Sequence, residues 1–441
     1  MRLRAAASGA VLAALFAGVI PPSPALAAPT CFGEEVTDPS LLGTSGADTI
    51  NGTSGPDVII GLGGDDMING RGGDDKICAG AGDDSISGGR GLDQLQAGPG
   101  SDSSVRGDLG DDFLYGADGD DKLIGGAGDD NLAGGFGDDL MSGRGGVDAA
   151  HYDLAPAGVT VDLRSRSASG GHGSDTFVGY EGLADVEAVY GSEFDDELAG
   201  DAAANLLIAN GGDDTLVASL GADVMTGGTD RRGDTVSYAR LGIGVQVNLA
   251  VGTASWGGAD ASAHDLSMVE RVVGSRHDDR IDGDGGPNVL VGGGGDDEVT
   301  ARGGDDVLWG GTGSDRINGG LGNDRAYGAA GDDVVAGVDG DDILRGGPGR
   351  DAVRLGSGDD RGYGDAGADL VMGSTGADSV RGGTHSDRLY GGEHRDGVAG
   401  GSGEDLVSGG PGDDALMGGP DRDTCRQDGG RGRATSCERL V

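Results

Sequence analysis

Aspartates recur every nine residues along two long stretches of the chain, and carboxylates in a regular column are a cation-binding chemistry. The longer series has fifteen members: Asp297, Asp306, Asp315, Asp324, Asp333, Asp342, Asp351, Asp360, Asp369, Asp378, Asp387, Asp396, Asp405, Asp414 and Asp423. The earlier one runs through Asp48, Asp57, Asp66, Asp75, Asp84, Asp93 and Asp102. One extra residue near 103–106 shifts its count, and it resumes at Asp112, Asp121, Asp130, Asp139 and Asp148. A short run holds Asp214 and Asp223. Many units carry a second carboxylate just before the first, as in Asp65-Asp66, Asp74-Asp75, Asp305-Asp306 and Asp332-Asp333. Such columns repel unless a cation lies between them. Calcium suits the slot, because it takes about six to eight oxygens from carboxylates and backbone carbonyls alike. Magnesium holds its waters and demands a tighter octahedron, so it ranks second. Local turn chemistry also brings Asp and Gly together. For a single unit the two readings are even; register kept over both series favours ligands.

The elements that must position these groups follow from the rest of the unit. With Asp as the sixth place, good copies read Gly-Gly-x-Gly-x-Asp-x-apolar-x, as in Gly310-Gly311-Thr312-Gly313-Ser314-Asp315-Arg316-Ile317-Asn318. The eighth place is Val299, Leu308, Ile317, Val335, Leu344, Val353, Val371, Val380 and Leu389 in turn, and Ile50, Ile59, Ile68, Ile77, Ile86 and Leu95 earlier. A period of nine would smear these side chains around a helix. A short strand followed by a glycine turn fits it. One unit cannot bury its single apolar residue, whereas stacked units can, which predicts an all-β solenoid. If two units make a coil, residues eighteen apart stack at about 4.8 Å, Asp297 over Asp315 and Asp306 over Asp324.

Composition agrees with a thin core. Aromatic residues are 4% of the 441, Gly is 98 of them, and the net charge is -45. Low apolar content with that charge also permits an uncompensated chain to be disordered. Met1 to Arg4 carry two arginines, Ala5 to Ile20 are uncharged and apolar, and Ala25-Leu26-Ala27 reads as a cleavage site. This predicts a secretory signal peptide over 1–28, export, and no membrane span after its removal. In an oxidising compartment disulfides persist. Cys425 and Cys437 close a small loop and are the expected pair, leaving Cys31 with Cys78 by elimination among three pairings.

The expected division is a leader or cap at 29–42, a first array at 43–148, a spacer module at 149–204, and a short repeat stretch at 205–229. A second spacer at 230–287, a second array at 288–425 and a C-terminal cap at 426–441 follow. The two spacers resemble each other. Gly158-Val159-Thr160-Val161-Asp162-Leu163 parallels Gly244-Val245-Gln246-Val247-Asn248-Leu249, and each leads to a degenerate pair, Asp195-Asp196 or Asp278-Asp279. Extra coils or hairpins continuous with the solenoid are expected there, with loops near 164–174 and 251–264.

The nine-residue unit resembles the RTX, or haemolysin-type, calcium-binding repeat family. That resemblance implies a right-handed parallel β-roll with two repeats per coil. It also implies rows of calcium ions between the turns, held by the sixth-place Asp and turn carbonyls, so that Asp66 with Asp84, or Asp315 with Asp333, share ions. The ligand candidates are all the aspartates of the three series named above except Asp102, Asp148, Asp223, Asp396 and Asp423. Leu355 and His394 stand in glycine places, and Gly362 and Ala326 in the apolar one. Weak spots are expected at those units.

Other chemistries find little support. No His-Glu-x-x-His motif involves any of the six histidines, and no nucleophile elbow or EF-hand spacing is present. The charge has the wrong sign for nucleic acid. The Arg-Gly-Asp triplets at 106–108 and 232–234 are expected in a chain this rich in Gly and Asp. The reading is calcium binding by an exported protein without a catalytic step, its folding coupled to loading. The alternative is an adhesin or cell-surface structural protein using the spacers for cell-surface or extracellular-matrix contact. A hydrolase hidden around His172 and His264 is the remaining rival.

Overall fold

The computed structural model describes residues 29–179, 185–229, 233–256, 263–429 and 431–440. The expected signal peptide lies outside these residues. The described elements are short β-strands apart from one 3-10 turn, Pro39–Leu41. The fold is the parallel β-solenoid that the period implies. It divides into two compact units, Met1–Asp234 and Thr235–Val441.

In the first unit every nonapeptide supplies one strand and alternate strands join the same sheet. Ile50 registers with Ile68 and Ile68 with Ile86 on one sheet. Ile59 registers with Ile77 and Ile77 with Leu95 on the other. These pairs are eighteen apart, so two units do make one coil. The eighth-place side chains are fully buried or nearly so and form a core one side chain thick. The extra residue near 103 lengthens a single coil: Leu95 registers with Leu114, and Ile86 with Val105. Val105 is completely buried and belongs to the core column, although the shifted count leaves it out of the sequence pattern. At the amino end Thr30–Cys31 pairs antiparallel with Glu34–Glu35. Cys31 is bonded to Cys78 with Cα atoms 5.7 Å apart, and it packs with Val58 and Ile60.

The region expected as a loop at 164–174 is largely strand. Val159–Asp162, Ser167–Gly170 and Gly173–Phe177 form an antiparallel meander. Its outer strands pair in parallel with Glu197–Ala199 and Leu140–Gly145. The correction has a simple cause. Val159, Val161, Ala168 and Phe177 alternate inward, and a polar turn between them reverses the chain inside the sheet.

The second unit repeats that device. Val245–Asn248, Thr253–Trp256 and Ala263–Ser267 pair antiparallel, so the expected loop at 251–264 also contains strand, with 257–262 outside the described residues. Beyond it the coils stack without a break: Leu290, Leu308, Ala326 and Leu344 on one sheet, Val299, Ile317, Val335 and Val353 on the other. Gly362, expected to weaken this core, leaves no hole. The Leu355 side chain is fully buried and its Cδ atoms fill the space a Cβ on Gly362 would need. At the carboxyl end Arg433–Thr435 and Arg439–Leu440 add one rung to each sheet. Cys425 is bonded to Cys437, with Cα atoms 5.8 Å apart.

Candidate metal centre

The sixth-place aspartates lie in the turns at the ends of the strands, and beyond Asp48 and Asp57 their carboxylates accept from the backbone of a neighbouring coil. The amide N–H of Asp297 donates to Oδ1 of Asp315 at 2.9 Å, and that of Asp306 to Oδ1 of Asp324 at 2.9 Å. The relation propagates as strings. Asp48, Asp66, Asp84, Asp102, Asp121 and Asp139 form one, each amide donating to the next carboxylate. Asp57, Asp75, Asp93, Asp112, Asp130 and Asp148 form a second. In the second unit Asp279, Asp297, Asp315, Asp333, Asp351, Asp369, Asp387, Asp405 and Asp423 form a third. Asn288, Asp306, Asp324, Asp342, Asp360, Asp378, Asp396 and Asp414 form the fourth. Asp196 similarly binds Oδ1 of Asp214. Three strings close on residues that sequence reasoning missed: Asp175 after Asp139, Glu187 after Asp148, and Glu438 after Asp423. The omitted Asp102, Asp148, Asp396 and Asp423 stand in the same strings as the candidates.

The second oxygen is what makes these sites unusual. Oδ2 of Asp66, Asp75, Asp84, Asp93, Asp112, Asp121, Asp130, Asp139 and Asp214 is buried without a hydrogen-bond donor. The same holds for every candidate from Asp297 to Asp414. A buried carboxylate oxygen without a partner is costly, and its electron pair is free to serve a cation. The glycine at the first place shows where that pair points. A methyl group on Gly310 would strike both Oδ2 of Asp315 and the carbonyl of Gly328, so the two oxygens face one small space. At the fourth place the constraint is backbone: Gly313 has φ +125°, which His394 and His385 adopt only under strain, at 87° and 80°.

Burial is the largest cause of a general rise in these carboxyl groups, with the charge of neighbouring aspartates behind it. Asp75, Asp297, Asp342, Asp351 and Asp378 are pushed up to about 7, and Asp121 to about 8. Like-charge repulsion alone, the reason given by spacing, is thus the lesser part.

Fifth-place residues form a second ladder of opposite sense. Asp305 accepts from the amide of Asn323, and Asp341 from that of Asp359, each eighteen residues later. These side chains are exposed. From Arg350 onward one such column reads Arg350, Ala368, Ser386, Glu404, Arg422, and there the Glu404 amide donates to Ser386 Oγ at 3.2 Å in place of an aspartate.

Asp48 and Asp57 differ from the other candidates. Thr44 and Thr53 occupy the second place of their units, and their amides donate to Oδ2 of Asp48 and Asp57 at 2.6 and 2.5 Å. Ser192 and Ser275 do the same for Asp196 and Asp279. In these four carboxylates Oδ2 is satisfied within its own loop, while Oδ1 of Asp196 and Asp279 accepts from the Val159 and Val245 amides. The Arg106 guanidinium pairs with Asp108 of its own triplet at 2.9 Å, and the second triplet lies partly outside the described residues. His151 stacks on Tyr190 with centroids 4.4 Å apart, His172 lies against Phe136 and Tyr152, and His264 against Trp256 and Tyr238, so these histidines belong to aromatic packing.

Among the described residues no group of three or more His, Cys, Asp or Glu side chains is placed to hold a metal by itself. A cation therefore needs turn carbonyls as well, and a donor set of carboxylate and carbonyl oxygen is hard and suited to calcium. The profile of the RTX calcium-binding nonapeptide repeat (4 copies) matches residues 42–77, 79–103, 106–149, 190–225 and 273–425, in overlapping copies that cover well over half the chain. The chain belongs to the RTX calcium-binding nonapeptide repeat family. It is therefore a calcium-binding β-roll protein with multiple calcium sites. No curated protein matches it. Among solved structures it is similar to a hyperactive, Ca2+-dependent, β-helical antifreeze protein from an Antarctic bacterium. That likeness is 14% identity over 84% of this chain and 83% of the other, with a TM-score of 0.20. Among the described residues no helix is long and apolar enough to cross a membrane.

Proposed function

We propose that this RTX chain is an exported structural protein whose folding is coupled to calcium loading, and that the sixth-place aspartates with orphaned Oδ2 atoms are the ligands. The supporting observation is the string of buried carboxylate oxygens without donors, several of which share the space beside a first-place glycine with a backbone carbonyl, as Oδ2 of Asp315 does with Gly328 at Gly310. Calcium supplies the missing positive charge when bound. The aspartates hold the turns through Oδ1 and offer Oδ2 inward, while the glycines keep the space open. Binding that occurs only in the folded state appears as folding free energy. Asp48 and Asp57 are set apart in this reading, since Thr44 and Thr53 already occupy their second oxygens.

Export with cleavage near residue 28, and the division into two arrays, a short repeat stretch and two spacers, are parts of the same reading. The apolar leader and the small-residue cleavage pattern support the first, and the antiparallel meanders between parallel ladders support the second. Circular dichroism with and without chelator tests the coupling: a β spectrum at millimolar calcium should collapse when calcium is removed. An unchanged spectrum after exhaustive chelation would overturn it. The mass of the secreted protein tests the cleavage.

A further inference from the structure

The late array carries its positive charge in an ordered line. Its sheet contains Val307–Thr312, Arg325–Ala330, Ile343–Pro348, Arg361–Ala366 and Ser379–Thr384, and four successive coils each present one exposed arginine: Arg325, Arg345, Arg361 and Arg381. They alternate from side to side. Arg325 registers with Ile343 and Arg361 with Ser379, while Arg345 registers with Tyr327 and Arg381 with Tyr363. On the opposite sheet Arg280 and Arg302 are drawn to Asp282 and Glu298, and from Arg316 onward Arg354 and Arg388 fall only on every second coil.

An aromatic ring holds two of these guanidiniums, and a stacked aromatic pair precedes it in the ladder. Trp309 stacks on Tyr327 with centroids 5.5 Å apart and planes 13° from parallel. Tyr363 lies between two cations, Arg345 at 5.0 Å and Arg381 at 5.7 Å from its centroid. Tyr363 is thus engaged within the ladder, and guanidinium N–H groups are left for a ligand. Stacking of this kind holds a guanidinium in place before anything binds. Among the described residues the acid paired with this line is Asp365, 3.1 Å from Arg345. The remaining three guanidiniums have no ion pair there.

We propose that this face binds a linear acidic polysaccharide of the uronate type. An extended ribbon of uronic acids offers one carboxylate per sugar, on alternating sides, at a repeat close to one coil rise. The guanidiniums offer one planar fork per coil, on alternating sides, at about 4.8 Å per coil. Arginine and carboxylate pair in a two-pronged geometry. The proposal rests on the calcium-loaded reading, since compensated turn carboxylates are what let an array in a chain of net charge -45 attract a polyanion.

The test uses the full-length calcium-loaded protein and a galacturonate oligomer too short to gel with calcium, with binding followed by tryptophan fluorescence. Wild type should bind saturably. R345Q/R381Q should weaken binding by at least about tenfold, and R354Q/R388Q, the same charge change on the opposite sheet, should leave it within about twofold. R345K/R381K should fall between. A neutral dextran oligomer should not bind. The proposal fails if wild type does not bind, if both glutamine variants lose affinity equally, or if polyglutamate of matched charge binds as tightly. It also fails if sedimentation shows wild type self-associating through this face, with R345Q/R381Q monomeric. Calcium uptake and the β spectrum, recorded on the same samples, report separately on the coupling of folding to calcium.

Discussion

The Cδ2 atom of Leu355 lies 2.7 Å from where a Cβ on Gly362 would be. The two residues have exchanged duties. Leu355 stands in a first place held by glycine or alanine in the other units of the two arrays, and Gly362 stands in a core place held elsewhere by larger side chains such as Val335, Leu344 and Ile317. Leu355→Ala should cost about 2–5 kcal/mol by opening a cavity. Gly362→Val should cost about 1–3 kcal/mol by overpacking. The double variant should recover most of both losses, a coupling measurable by denaturant unfolding in calcium. Additive losses would refute the exchange.

Asp315→Asn should act with opposite signs in the two states. The amide keeps an acceptor for the Asp297 N–H and removes a buried unpartnered charge, so the metal-free protein should gain stability. Calcium binding at that slot should weaken by roughly tenfold, about 1.4 kcal/mol. Asp57→Asn, where Thr53 already serves the second oxygen, should leave the calcium stoichiometry unchanged. Isothermal titration and chelator-phase unfolding check both.

The pH dependence of the metal-free protein should run opposite to that of most acidic proteins. Asp75, Asp297 and Asp342 rise from an ordinary value of 3.8 to about 7. Between those values the folded chain binds more protons than the unfolded one, so stability falls as pH rises. The contribution is complete below about 3.8 and lost as pH climbs through about 7. In chelator, β structure should therefore grow as pH drops from 8 towards 5. In calcium the same protons compete for the ligands, and the midpoint for calcium should rise. A flat chelator profile would count against this.

Reducing the disulfides should act at the ends. The Cys425–Cys437 loop spans 12 residues and the Cys31–Cys78 loop 47. Chain entropy assigns them about 3 and about 4 kcal/mol. Hydrogen exchange after Cys437→Ser should speed up over Arg433–Thr435 and Arg439–Leu440 and leave the coils around Leu344 protected.

Much of this architecture could be read from spacing. Asp297 and Asp315 lie on successive coils because a short strand and a glycine turn leave no other use for a period of nine. What spacing could not convey is how each carboxylate divides its oxygens. Asp57 and Asp75 occupy the same place in the repeat, yet Thr53 makes the first self-contained while the second keeps an orphaned oxygen. Part of the signal was present in the second place, Thr53 beside Asp57 against Arg71 beside Asp75, yet Ser374 holds that place beside Asp378, whose Oδ2 is orphaned all the same. Val105 escaped because the extra residue before it broke the count. The strands within 164–174 escaped because a meander of small polar residues has little apolar alternation. Glu187 and Glu438 close two strings from outside the repeat, where nothing in the nonapeptide frame points to them.

The coil around Asp102 holds one residue more than its neighbours. Asp93 to Asp112 and Asp102 to Asp121 span 19 residues, and by Asp112 to Asp130 the span is 18 once more. In a coiled coil a single insertion would rotate everything downstream off the seam. Here the surplus bulges within one loop and the reading frame recovers at the next rung. Length changes in such a chain are local events, tolerated wherever the aspartate that reaches the adjacent amide survives.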